Sequence, residues 1–235
     1  MGNLYIYISN IYMGKTLILL RGLHNKDLNN KGPINWKRCY TSLYENFITF
    51  IDKNDYDIYF QTYDSPELND LINVYNPIKY ISYPISDVDK YGQVQNIYEV
   101  IQIVDKIEQY DRIFITRFDI LYKMSLDKWN VKEDNTNVFF KHPNGDINDT
   151  IFLLYSKNII DFKKKIQNHT RINLHKIKFD NLHSMDESRY YSDTDYPEYF
   201  PLNNNPYFVL DRIRRWGFKN KEQAYREAKK QGFIK

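Results

Sequence analysis

Residues 110–124, YDRIFITRFDILYKM, decide how the chain is read. Ile113, Phe114 and Ile115 form an apolar run suited to burial, yet the run climbs into Arg117 and Asp119 before apolar residues resume at Ile120 and Leu121. On an extended chain, residues i and i+2 face the same side. Arg117 and Asp119 therefore share a face, and Phe118 turns the other way into apolar packing. A plain core strand has no use for a guanidinium and a carboxylate at its end. Two readings stand. One is a salt bridge closing the strand; in the other, Asp119 binds a divalent cation while Arg117 forks onto a phosphate or holds the aspartate.

The flanking segments alternate between strand and helix patterns. KTLILLRGL (15–23) is an apolar strand broken at Arg21 and Gly22. Trp36, Tyr40, Leu43, Phe47 and Ile51 recur at spacings of three and four, one face of an amphipathic helix with Pro33 at its first turn. Strands follow at 56–64 and 78–84, with a short helix at 66–74 between them. A longer helix is expected over 93–110, through Val94, Tyr98, Ile101, Val104 and Ile107. Beyond the opening stretch, NVFFKH (137–142) and TIFLLYS (150–156) read as strands around a polar loop, a helix spans 157–168, and a charged helix closes the chain at 219–233. This alternation predicts a mostly parallel α/β sheet flanked by helices. With no repeat and no linker, residues 1–235 read as one domain.

Composition excludes several classes. Hydrophobic residues make up 42% of the 235, enough for a continuous core. The net charge of +3 is spread along the chain, unlike the basic stripe of a nucleic-acid binder, so none is expected as a partner. A single cysteine, Cys39, allows no internal disulfide and sits on the helical face as a small hydrophobe. No run approaches the roughly 20 apolar residues of a membrane span. The N-terminal stretch lacks a basic region before its apolar residues, and Ile6 stands where a myristoylation signal needs Ser or Thr. A cytoplasmic protein is expected. The 22 tyrosines would suit sugar faces, but an AT-rich coding sequence accounts for them better.

Ligands of open α/β sheets bind beyond the carboxyl ends of the strands. Three expected strand ends are polar: Arg21-Gly22 with His24 beyond, Gln61-Thr62-Tyr63-Asp64, and Arg117-Phe118-Asp119. Together they would form a pocket for a phosphorylated ligand. Asp146, Asn148 and Asp149 crowd a loop before a strand, either as turn formers or, for Asp149, as a general base or acceptor ligand. His183 is a candidate metal or phosphate contact, with Asp186, Glu187 and Glu198 nearby in sequence. The chain has no GxGxxG, Walker lysine loop, CxxC or GxSxG.

In this order and spacing, LILLRGL, YDIYFQTYD, YDRIFITRFDILYK and DINDTIFLLYSKNIIDF resemble small sugar-nucleotide-dependent glycosyltransferases of the GT-A type. The set resembles that of the WavE-like and related transferases of bacterial polysaccharide clusters and large DNA viruses. The resemblance covers roughly residues 15–165, the expected nucleotide-sugar core; 166–235 would form the acceptor side and C-terminal helical part. It implies a GT-A-like, Rossmann-like fold, a nucleotide-sugar donor such as a UDP- or GDP-sugar, a glycan acceptor, and Mn²⁺ or Mg²⁺. Asp119 would be the last residue of an Asp-x-Asp motif whose first position is Arg117, a substitution able to neutralise phosphate charge itself. Arg21 and Gly22 would lie near the nucleotide and Thr62 and Tyr63 against base or ribose. Asp149 would serve as base, and His183 as a later metal or phosphate contact. The alternative is a non-catalytic carbohydrate- or partner-binding module on the same fold. A sugar nucleotidyltransferase would need a Gly-rich N-terminal loop that is missing here.

Overall fold

The structure is a computed structural model describing residues 14–24, 34–51, 55–88, 92–122, 124–139, 146–147, 149–168, 174–185 and 208–210. The apolar runs form strands β1 (Thr16–Arg21), β2 (Tyr56–Tyr63), β3 (Lys79–Tyr83), β4 (Arg112–Arg117) and β7 (Phe152–Tyr155). Short strands β5 (Ile120–Tyr122), β6 (Thr136–Val138), β8 (Leu182–Ser184) and β9 (Phe208–Leu210) join them among the described residues. Helices α1 (Trp36–Asn46), α2 (Leu68–Tyr75), α3 (Gln93–Gln102) and α4 (Ser156–Asn168) lie between them.

Seven strands form one mixed, mostly parallel sheet in the order β3-β2-β1-β4-β7-β6-β8. The first four are mutually parallel. β7 runs antiparallel between β4 and β6, and β8 is parallel to β6. Alternation along each strand feeds two cores. Ile18, Leu20, Ile58, Phe60 and Phe114 pack with Trp36 and Leu43 of α1 and Leu71 and Tyr75 of α2. Leu17, Leu19, Tyr59, Ile113 and Ile115 pack on the other face with Val94 and Ile97 of α3 and Phe162 and Ile166 of α4. The result is an α/β sheet between two helical layers, with helices of adequate apolar face on both sides.

Helix α1 starts where the Asn35 side chain accepts the Arg38 amide at 3.1 Å, an N-cap that stabilises by about 1 kcal/mol. Trp36, Cys39 and Leu43 are buried as expected. The helix stops at Asn46, and Phe47 and Ile51 reach the core through a 3-10 turn, Phe47 stacking on Phe114 at 3.9 Å between centroids.

Two expectations change. The helix expected over 93–110 ends at Gln102, because the chain must reverse into β4 and Lys106 adopts a left-handed φ of 57° that a right-handed helix cannot contain. Val104 and Ile107 keep their burial without helical backbone. The opening stretch is also two strands. β4 ends at Arg117, and β5 starts at Ile120 as part of a separate two-stranded sheet, antiparallel to β9. Ser42 of α1 fixes β5 by accepting the Tyr122 amide at 2.7 Å and donating to its carbonyl at 3.2 Å. Pro33 and the charged helix expected at 219–233 lie outside the described residues. No helix among the described residues is long and apolar enough to cross a membrane.

Candidate functional site

Parallel pairing sets the ends of three strands level. Arg21 of β1 is the register partner of Gln61 on β2 and of Arg117 on β4. All three follow the odd-numbered face of their strands, the face covered by α3 and α4. Two guanidiniums therefore stand side by side at the carboxyl edge of the central strands.

They are held differently. Arg117, whose side chain is 11% exposed, forks onto Asp119, with Nε on Oδ1 at 2.9 Å and Nη2 on Oδ2 at 2.7 Å. Asp119 is 1% exposed, and Phe118 between them points to the opposite core, edge-on to Phe60 and Tyr75. The salt bridge is thus real. Arg21 is 2% exposed; its Nη2 donates to the Asp149 carbonyl, and its buried Nε has no hydrogen-bond partner. Burial is the largest influence on it and lowers its pKa to about 10, with Asp149 opposing that shift and Arg117 adding to it.

Asp149 precedes β7 and is 5% exposed. Its Oδ2 is buried with no hydrogen-bond partner, although His175 Nε2 stands 3.5 Å away, too long for a good hydrogen bond. The structure therefore brings Arg21, Arg117, Asp119 and Asp149 together.

Gly22 ends β1 with a φ of +92°, a left-handed conformation that suits glycine, and a Cβ there would meet nothing within 4 Å. Its carbonyl accepts from Thr62 Oγ1 at 3.0 Å, and its amide donates to the Gln61 carbonyl at 3.0 Å. Thr62 is fully buried and also bonds His24 Nδ1 at 2.6 Å. The other His24 nitrogen meets Ser65 Oγ at 2.7 Å, and burial lowers the His24 pKa to about 4. Tyr63 is buried too, with its hydroxyl on Asn96 of α3 at 3.2 Å. As placed, Thr62 and Tyr63 bind protein groups that shape the β1–β2 corner. Asp64 is exposed beyond it, its carboxylate accepting from Ser82.

His183 is not brought to this corner. It lies on β8 beside Asn137, which is level with Leu153 and Phe114, so it sits below the carboxyl edge and three strands away, roughly 14 Å from β4. Its Nε2 is 2.8 Å from the Asn130 carbonyl oxygen. Asn148, Asp186, Glu187 and Glu198 lie outside the described residues. His175 had no signal in the sequence, because its contacts with Ile147 and Asp149 are tertiary.

The described donor set does not fit a divalent cation at Asp119. Both carboxylate oxygens are engaged by Arg117, and no group of three or more His, Cys, Asp or Glu able to hold a metal occurs among the described residues.

No protein-family model matches the chain, and no curated protein matches it. Among solved structures, the chain is similar to the glycosyltransferase GlyE of Streptococcus pneumoniae TIGR4, at 12% identity and a TM-score of 0.43 over 90% of this chain and 59% of that one. The apo form of GlyE gives 12% identity and a TM-score of 0.37 over 66% of this chain and 37% of that one. An active-site mutant of LgtC gives 12% identity and a TM-score of 0.37 over 63% and 59%. This chain spans less than two thirds of each, and at these scores no residue is matched to a counterpart.

Proposed function

We propose that the chain is a glycosyltransferase that moves a sugar from a nucleotide-diphosphate-sugar donor to a glycan hydroxyl at the carboxyl edge of β1 and β4. The observation that carries this reading is Arg21, a buried guanidinium with an orphaned Nε beside a second guanidinium. A buried charge without full hydrogen bonding is costly, and an anionic ligand at this edge offsets that cost. The order of the strand-end motifs, which resembles GT-A glycosyltransferases, supports a sugar nucleotide as the anion.

In this reading Arg21 and Arg117 stabilise the charge that develops on the leaving diphosphate. The acceptor oxygen bonds to the anomeric carbon, the carbon–oxygen bond to the diphosphate breaks with its electron pair leaving on phosphate, and Asp149 receives the hydroxyl proton.

The test is a thermal-shift screen of UDP- and GDP-sugars with Mn²⁺ or with EDTA, followed by transfer assays. A ligand at a hundred times its Kd stabilises by about 2.7 kcal/mol. Wild type is expected to show a shift that Arg21→Met loses. If no nucleotide sugar binds with either metal or chelator, the proposal fails. The forked Asp119 favours one second reading, a sugar-binding module without turnover, which a shift without transfer would support.

A further inference from the structure

His175 sits in the 3-10 turn Leu174–Lys176, and two bonds tie it to Ile147. The Ile147 amide donates to the His175 carbonyl at 2.9 Å, and His175 Nδ1 lies 2.8 Å from the Ile147 carbonyl oxygen. A carbonyl only accepts, so Nδ1 carries the hydrogen of that bond. The ring is thereby oriented, and Nε2 is the nitrogen directed at Asp149 Oδ2, 3.5 Å away. That oxygen is buried and has no hydrogen-bond partner. The two atoms stand just beyond good hydrogen-bonding distance, so a small shift of either side chain would join them. Contacts of this length within catalytic pairs often tighten only when substrate is bound.

We infer that His175 is a positioning residue for the reaction, its Nε2 facing Oδ2 of Asp149 and setting the carboxyl group toward the acceptor hydroxyl. This rests on Asp149 being the proton acceptor of the proposed transfer. The arrangement follows the general pattern in which a base is oriented by a third group. His175, with 37% of its side chain exposed, forms the outer wall of the pair, and Asp149 lies behind it with 7% exposed. Arg21, on the Asp149 carbonyl, closes the other side.

Two substitutions separate positioning from simple support of the loop. His175→Asn keeps a donor near Nδ1 for Ile147 but has nothing to reach Asp149. His175→Gln places its amide near the Nε2 position and gives up the bond to Ile147. Positioning predicts that His175→Asn lowers kcat by about 10- to 100-fold with KM for the donor within about twofold, while His175→Gln keeps more of the rate. Free imidazole should restore part of the rate lost in His175→Ala and none of that lost in Asp149→Asn. The opposite order of the Asn and Gln variants would make His175 a loop clamp and overturn the inference. A readout independent of turnover is the ¹⁵N resonance of His175 Nε2, expected to move in Asp149→Asn. An unmoved resonance overturns the pair whether or not the enzyme transfers sugar, whereas a moved resonance in a protein without transfer upholds the pair and removes only the glycosyltransferase reading.

Discussion

Asp119 and Asp149 meet at one edge of the sheet, both almost fully buried, and are held in opposite ways. Asp119 has each oxygen on a nitrogen of the Arg117 fork. Asp149 has one oxygen without a hydrogen bond, and its neighbour Arg21 has a nitrogen in the same condition. Buried polar atoms are nearly always bonded, so orphans of opposite sign at one corner mark where a ligand would complete the network. Saturation at Asp119 points to structure. Want at Asp149 and Arg21 points to binding.

The largest effect that sharpens this contrast is expected in Arg117→Ala, which removes the bidentate guanidinium from a buried carboxylate and should cost about 3–5 kcal/mol in urea unfolding. Removing both partners, as in Arg117→Met with Asp119→Leu, should cost clearly less, because no buried charge loses its counter-charge. Equal losses would mean that the fork is not the source of the effect.

His24 extends the comparison to a neutral group satisfied by two hydroxyls, Thr62 and Ser65. Its pKa falls from 6.5 to about 4 on folding, so between those values the folded state binds fewer protons than the unfolded state. The associated stability is fully present above pH 6.5 and is lost as pH falls towards 4, by up to about 3 kcal/mol. Urea midpoints at pH 7 and 5 should therefore fall further for wild type than for His24→Gln.

Gly22→Ala meets no clash but must hold a φ of +92°, for an expected loss of about 1–2 kcal/mol by thermal unfolding. The smallest change is expected in Asp149→Asn, about 1 kcal/mol or less, because the oxygen it alters makes no hydrogen bond. A loss there as large as that of Arg117→Ala would break the contrast between the two carboxylates.

Much of this architecture is legible in local pattern. The apolar runs at 16–21, 56–63 and 112–117 became the parallel centre of the sheet, and the alternation of Arg117, Phe118 and Asp119 placed the middle residue in the opposite core. The Arg117–Asp119 bridge was one of the two readings that spacing allowed. What local pattern could not carry was pairing across distance. Antiparallel β7 and then β6 separate β4 from β8, which sets His183 apart from Asp119. The end of α3 depends on a left-handed residue, Lys106, of a type with no special preference for that conformation. His175 is tied to Ile147 and Asp149 by the folding of distant segments, so no spacing rule announces it.

The pairing of β5 with β9 adds a temporal consequence. Ile120 meets Leu210, so 90 residues must be synthesised after Ile120 before its partner exists. At about 5–20 residues per second, that is a wait of roughly 5–20 s on the ribosome. β5 begins one residue after Asp119, and Ser42 of α1 bonds its Tyr122 amide and carbonyl. Were β5 to form before β9 is made, the nascent chain would carry an unpaired strand edge, a known template for unwanted pairing. Chaperone demand during synthesis should therefore concentrate in the interval between the emergence of β5 and that of β9.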